Sequence, residues 1–220
     1  MKNSQSEENY LKALFTLMNT DKEVSVSDLS TVLSVSMPSA NGMVKRLDAK
    51  GYLVYQKYKP LRMTEKGELA AALVLRKHRL TEMFLVEKMD FGWEEVHDIA
   101  EQMEHIKSPD FFDRMDELLD FPTIDPHGSP IPDKSGGIYE CDFKSLDEFE
   151  PKNVLVLRAL ADSSADLLSF LNKKGLKLGV VICIEDYEEF DETYTISYDN
   201  STTIVSKKIA ECLLVDKPDL

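Results

Sequence analysis

Residues 34–66 read SVSMPSANGMVKRLDAKGYLVYQKYKPLRMTEK. The run Ser34-Val35-Ser36-Met37-Pro38 interrupts a helical apolar pattern. Pro38 suits the first turn of a new helix, where its missing N–H is harmless, and Ser36 can cap that helix. The helix carries Val44 and Leu47 inward and stops near Gly51. Residues 52–55 and 61–63 are short apolar segments either side of 56–60, the pattern of a hairpin. Upstream, Tyr10, Leu11, Leu14, Phe15, Leu17 and Met18 recur at helical spacing and predict a helix over about 6–19. Val24 and Val26 alternate with Ser25 and Ser27 in a short extended link. Ser27 is the expected cap of a second helix bearing Leu29, Val32 and Leu33, with Asp28 at the positive end of its dipole.

Helix, helix, turn, helix and hairpin is the order of a winged helix-turn-helix, whose recognition helix enters the major groove of DNA. The candidate contacts on that helix are Ser36, Pro38, Ser39, Asn41, Gly42, Lys45 and Arg46. Lys57 and Lys59, near the hairpin tip, are placed to grip phosphate. The alternative is a small protein-interaction domain with ordinary surface lysines. Charge distribution favours DNA. The whole 220-residue chain has a net charge of -14, which taken alone argues against a polyanionic partner. Residues 1–66 nevertheless hold ten Lys/Arg against seven Asp/Glu, a net of +3, and the remainder carries −17.

Downstream, helices are expected over about 65–87 (with Thr64 as cap), 94–106 and 109–120, followed by a Pro/Gly-rich loop over 121–135. Short β-rich runs then appear at 154–157, 180–184, 193–197, 202–205 and 210–215, with one helix near 164–173. They suit a small β-barrel of about five strands. The domains read as 1–66, a winged helix-turn-helix; 67–138, a helical body; 139–150, a linker; and 151–220, a small β domain. The N-terminus has no signal-peptide h-region, and the longest uncharged run, 29–44, is too short and Ser-rich to span a membrane. Cys141, Cys183 and Cys212 form no CxxC pair, and this scattered, odd set fits a reducing cytoplasm.

The chemistry-bearing residues lie in the helical body. His78 and Glu82 are spaced i, i+4, and in the next helix His97, Glu101, Glu104 and His105 fall at i, i+4, i+7 and i+8, on one stripe. Imidazole and carboxylate together suit Mn, Fe(II), Co or Zn, and the absence of cysteine tilts the set towards the harder ions. One His/Glu pair in a chain with 40 acidic residues is more often a surface hydrogen bond; a stripe of four is harder to explain that way. His127, in the Pro/Gly loop, reads as structural. There is no HExxH, no phosphate loop and no GxSxG, so catalysis has little support and an enzyme is not expected.

Specific stretches carry a resemblance. They are Glu8-Asn9-Tyr10-Leu11, Ser36-Met37-Pro38-Ser39, Arg46-Leu47-Asp48, Gly51-Tyr52-Leu53-Val54 and Met63-Thr64-Glu65-Lys66-Gly67. Further on come Arg76-Lys77-His78-Arg79-Leu80 with Glu82, Val96-His97-Asp98, Glu104-His105, Pro126-His127-Gly128 and Pro130-Ile131-Pro132. In these the chain resembles the iron- and manganese-dependent repressors, the family of the diphtheria toxin repressor and the manganese transport regulators. The match is good over about residues 6–135 and weaker in the C-terminal segment, which is similar to the family's SH3-like domain. The resemblance implies a cytoplasmic homodimer whose metal-bound form binds double-stranded operator DNA and represses metal-uptake genes.

It also implies two neighbouring sites: His78, Glu82 and His97 with Asp162 from the SH3-like domain, and Glu101, Glu104 and His105 with Asn9 from the first helix. His97 serves there as a ligand or as a partner of one. Iron-type members carry Cys where this chain has Glu101, and the extra hard oxygen favours Mn2+, with Fe2+ as the alternative. Lys12 stands where two-domain manganese regulators have Glu, which argues against their closely spaced binuclear site. A metal-dependent hydrolase is the distant alternative, and it lacks a substrate-cleft signature.

Overall fold

The computed structural model describes residues 3–19, 23–139 and 141–218. The chain divides into two units. The first comprises Met1–Thr81, Ala100–Phe121 and Ile131–Tyr139; the second comprises Glu82–Ile99, Pro122–Pro130 and Glu140–Leu220.

In the first unit, α1 (Gln5–Met18) opens with a capping box: the Ser4 hydroxyl accepts from Glu7 N, and the Glu7 carboxylate accepts from Ser4 N. Helix α2 (Val26–Val32) starts at Ser25. The extended link and the Ser27 cap expected from sequence are therefore corrected. A capping box needs an acidic group three residues after the cap, and Asp28 supplies it to Ser25, accepting from Ser25 N at 2.8 Å. Helix α3 (Met37–Ala49) is capped by Ser36, whose hydroxyl accepts from Ser39 N, with Pro38 in the first turn. Strands β1 (Leu53–Val54) and β2 (Arg62–Met63) pair antiparallel as the wing. Helix α4 (Glu65–Met89) begins at Thr64, whose hydroxyl accepts from Gly67 N at 3.1 Å. Helices α5 (His97–Met103) and α6 (Pro109–Leu118) follow, and α5 is shorter than its sequence pattern suggested.

One core joins α1, α2, α3 and the wing through Leu11, Leu14, Leu29, Val44, Leu47 and Leu53, all buried. Each such side chain contributes about 1.5–3 kcal/mol. Glu7, also buried, pairs with Lys50 just past the end of α3 at 2.7 Å. Burial works to raise the Glu7 carboxyl, but the Lys50 hydrogen bond and the Ser4 N–H outweigh it and leave the group below its ordinary range. A carboxyl depressed in the folded state stabilises the fold above its unfolded-state titration and loses that contribution as pH falls through its folded one. Glu7→Gln is therefore expected to cost about 1–3 kcal/mol at pH 7. The difference from the parent should close as pH drops below the carboxylate range. Urea melts at pH 7 and pH 3 measure both effects, and a deficit that persists undiminished at pH 3 would contradict the pairing.

Elsewhere in this unit Arg76 ties α4 to α6 and to the following loop. It donates to Asp116 and, at 2.6 Å, to the Pro132 carbonyl.

The second unit is built on a six-stranded antiparallel sheet in the order β3-β8-β4-β5-β6-β7. Its strands are β3 (Lys144–Ser145), β4 (Val154–Leu160), β5 (Val181–Glu188), β6 (Thr193–Tyr198), β7 (Ser201–Ser206) and β8 (Leu213–Asp216). Five strands were expected. The sixth, β3, lies in the expected linker and pairs with β8 over two residues, too few for alternation to register in sequence. The last strand, expected over 210–215, begins at Leu213, and Ala210 closes the short helix α8 (Lys207–Ala210) instead. Helix α7 (Ala165–Lys174) ends at Gly175, whose φ of 72° gives the left-handed C-cap that glycine adopts without strain. Leu155, Leu157, Leu168, Leu171, Ile184 and Ile196 centre its core. Among the described residues, no helix is long and apolar enough to cross a membrane.

Candidate metal centres and DNA-binding face

The first unit gathers one group of donors around Glu104, which has no solvent exposure. Helix α5 ends at Met103, so Glu104 and His105 lie in the turn beyond it. The stripe expected from His97 to His105 is corrected on this point, because the helix that would have aligned it stops short. Glu104 Oε2 meets His78 Nδ1 at 2.6 Å and Lys12 Nζ at 2.8 Å. Lys12 Nζ also lies 3.6 Å from the exposed Glu101. On the other side, His105 Nδ1 meets Glu8 Oε2 at 2.7 Å, while His105 Nε2 lies 3.7 Å from Glu104 Oε1.

Glu104 Oε1 is buried and accepts no hydrogen bond. In the neutral ring, with Nδ1–H donating to Glu8, His105 Nε2 carries a lone pair, and two electron-rich atoms face each other. Such an orphaned carboxylate oxygen is costly unless a cation joins it. The donor set therefore fits a divalent ion. Burial alone would raise the Glu104 carboxyl, but the His78 hydrogen bond and the Lys12 charge hold it below the ordinary range, ionised and ready to ligate. The first-helix carboxylate that reaches His105 is Glu8, which is buried; Asn9, expected there, is exposed. One turn along α1 decides this, because its inward face carries Glu7, Glu8, Tyr10 and Leu11.

The second unit gathers another group. Ligand atoms of Glu82, Asp125 and His127 lie within 4.8 Å of one another, and all three residues are buried. His127 Nε2 donates to the Trp93 carbonyl at 2.9 Å, and its Nδ1 lies 3.8 Å from Glu82 Oε2; in the neutral ring that nitrogen carries the lone pair. Trp93 stacks over the His127 ring at 6.0 Å between centroids and is itself held by Asn172 at 2.8 Å. Leu160 N donates to the His127 carbonyl at 3.0 Å, fixing the loop to β4. His97, half exposed, reaches Glu82 Oε1 at 3.4 Å. Asp162 is exposed, and its carboxylate accepts from Ser164 N and Oγ at 3.0 and 2.6 Å. Among the described residues it is not one of the atoms gathered at Glu82, and Asp125 and His127 stand there instead. Sequence reading treated His127 as structural. The signal it passed over is two donors at i, i+2 in Asp125-Pro126-His127.

On α3, Pro38, Ser39, Gly42, Lys45 and Arg46 share one exposed face. Ser36 is exposed and its hydroxyl accepts at the cap; the Asn41 amide nitrogen donates back to the Met37 carbonyl at 3.1 Å. Lys57 and Lys59 are exposed on the wing, where Lys57 lies over the Tyr58 ring at 4.7 Å.

The profile described as "Iron dependent repressor, N-terminal DNA binding domain" matches residues 2–61. That described as "Iron dependent repressor, metal binding and dimerisation domain" matches residues 64–133. The HTH-type transcriptional regulator MntR of Lysinibacillus sphaericus is 34% identical over 114 residues, which are 52% of this chain and 81% of that protein. The chain belongs to the iron-dependent repressor family. The iron-dependent repressor IdeR of Mycobacterium tuberculosis is 36% identical over 125 residues, 57% of this chain and 54% of its own length. The match thus spans about half the length of that relative. The family's third segment is present too: the FeoA domain profile matches residues 144–217, the SH3-like sheet. Two solved family structures cover 96% of the chain. A manganese-dependent transcriptional repressor complex with manganese superposes with a TM-score of 0.89 at 27% identity over 100% of its own chain. ScaR with bound Cd2+ superposes with a TM-score of 0.83 at 32% identity over 99% of its own chain.

Proposed function

We propose that this family member is a Mn(II)-activated transcriptional repressor that binds operator DNA as a homodimer. The observation that carries the reading is the orphaned Glu104 Oε1 facing His105 Nε2 in the unit that also holds the recognition helix. Glu8, Glu104 and His105 would hold one ion, and Glu82, Asp125 and His127 another. A bound ion supplies positive charge that lets buried carboxylates lie together. In the first unit Glu8, on α1, and Glu104, beyond α5, would be held together by that charge. Because α1 shares its core with α2 and α3, this fixes the DNA-reading helices relative to the helices that follow them. Linkage then requires that operator DNA tighten metal binding by the same factor.

Both donor sets contain only nitrogen and oxygen, which favours a hard ion. The relatives support two ions, since a manganese-dependent repressor and the iron-dependent repressor IdeR both match, so an Fe(II)-responsive repressor is the second reading. Exposed Phe111, Leu118 and Phe121 on and after α6 supply an apolar face for pairing two copies. No catalytic role is assigned, and a cytoplasmic location follows from the DNA partner.

Fluorescence anisotropy on a candidate operator, run metal-free and with Mn(II) or anaerobic Fe(II), tests the reading. Equal DNA affinity in all three conditions would sink it. Gly42 gives a finer check. A methyl group there would meet nothing within the chain, and glycine inside a helix costs about 0.5–1 kcal/mol relative to alanine. Internal packing does not require so small a residue, whereas close approach of DNA does. Gly42→Ala is expected to raise thermal stability while weakening operator binding roughly tenfold, the scale of one lost contact. Unchanged affinity would move Gly42 out of the interface.

A further inference from the structure

A cavity of about 500 Å3 opens within the second unit, beside the Glu82 group, with which its lining shares only Asp125. Its walls are largely apolar: Met83 and Val86 from the last turns of α4, then Ile124 and Leu178. Trp93 forms one side and is fixed there. Its Nε1 donates to Asn172 at 2.8 Å, and its ring stacks on His127 with centroids 6.0 Å apart. A wall held in place beforehand has little freedom to lose when a ligand arrives. Cavities of this size, apolar with a few polar groups, are the usual form of small-molecule sites.

The charges in this lining are unbalanced. Glu87, Glu94 and Asp125 are acidic, and the exposed Lys177 is the single cation among the described lining residues. Asp125 is already engaged, since its Oδ1 accepts from His127 N at 2.8 Å and from Ser129 N at 2.9 Å. Glu94 differs. Its Oε2 is buried and accepts no hydrogen bond. It is packed over Gly92, where a Cβ would fall 2.7 Å from it. A carboxylate oxygen taken out of water without a donor is costly. A positively charged N–H donor removes that cost and makes the stronger kind of hydrogen bond. An indole attracts the same group.

We propose that this cavity binds a small organic amine, its ammonium against Glu94 and Trp93 and its apolar body against Met83, Val86, Ile124 and Leu178. A neutral molecule of the same shape leaves the Glu94 oxygen desolvated without a charged donor, and an anion meets it with like charge, so both are discriminated against.

Trp93 is the chain's only tryptophan, so its fluorescence reports on this cavity. The probe is n-hexylammonium, since a primary amine keeps its proton at pH 7 as lysine does. The full chain is titrated with it at constant ionic strength, with 1-hexanol and hexanoate as the matched neutral and anionic compounds. Excess EDTA is present throughout, so the outcome is independent of the metal-ligand reading. Hexylammonium is expected to give a saturable change in Trp93 emission, with 1-hexanol and hexanoate binding roughly tenfold more weakly or not at all. Glu94→Gln keeps the shape of the side chain and should weaken hexylammonium roughly tenfold or more. Absence of a saturable change, equal affinity for hexylammonium and 1-hexanol, or unchanged affinity in Glu94→Gln would each overturn the proposal. Lys177→Glu, at an exposed position, covers the case in which Glu94→Gln does not fold. Reversing that charge should tighten hexylammonium severalfold, and unchanged or weaker binding would overturn the proposal.

Discussion

Glu104→Gln is expected to leave the metal-free protein folded and to remove its metal response. Glutamine keeps the shape of the side chain, and its amide oxygen can still accept from Lys12, which sits 2.8 Å from the carboxylate in the parent. What is lost is the negative charge that the His78 hydrogen bond and the Lys12 ammonium keep ionised. Loss of a directly coordinating group costs at least what loss of its supporting partner costs, so Mn(II) affinity at this centre should fall about 100-fold or more. That corresponds to roughly 2.7 kcal/mol. Operator affinity measured with Mn(II) should then collapse onto the metal-free value. Glu104→Ala is a poorer probe, since it strands Lys12 without its buried partner, and removing one member of a buried pair costs about 3–5 kcal/mol in its own right. Calorimetric Mn(II) titration of the glutamine variant, paired with anisotropy on operator DNA, decides the matter. A retained Mn(II)-dependent gain in DNA affinity would remove Glu104 from the centre.

Gly128→Ala is expected to damage the second group without touching a donor atom. Gly128 has a φ of 86°, and a methyl group there would run into the Arg158 carbonyl and Ala159 on β4. A non-glycine residue in that conformation costs about 1–3 kcal/mol before the clash is counted. The total should reach roughly 3 kcal/mol, a fall of about 12 °C or more in the melting transition of this unit. The loop must pull away from β4, breaking the Leu160 to His127 bond and moving Asp125 and His127 apart. Metal uptake measured in a Glu104→Gln background should therefore fall along with the melting temperature. An alanine variant that melts like the parent and still takes up Mn(II) would show that the loop does not depend on this glycine.

The winged helix was legible because its signals are local. Ser36 and Pro38 start α3, Gly51 follows its end, and Thr64 starts α4, each acting on backbone groups within a few residues. The one misplaced start, Ser27 for Ser25, arose where two serines compete and the deciding partner, Asp28, suits a box with only one of them. Most of the β strands were legible for the same reason, since alternation survives in β6 as Tyr194, Ile196 and Tyr198 on the buried face. The two-residue β3 was not, because its identity comes from pairing with β8, some 70 residues away.

The candidate centres divide along the same line. Composition alone marked the donors: four histidines, three of them beside carboxylates, and no cysteine among them. Their grouping required the fold. Helical spacing placed His97 with Glu104 and His105, but α5 ends at Met103, and the histidines part company: His97 turns to Glu82 and His105 to Glu8. His127 and Asp125 became partners of Glu82 only because β4 and Trp93 hold their loop in place. Local hydrogen bonds and periodicity act over a few residues, so the chain's own order encodes them. Which carboxylate faces which imidazole, and that Lys12 stands between Glu104 and Glu101, depend on contacts between residues up to 97 positions apart, which packing creates and sequence order does not.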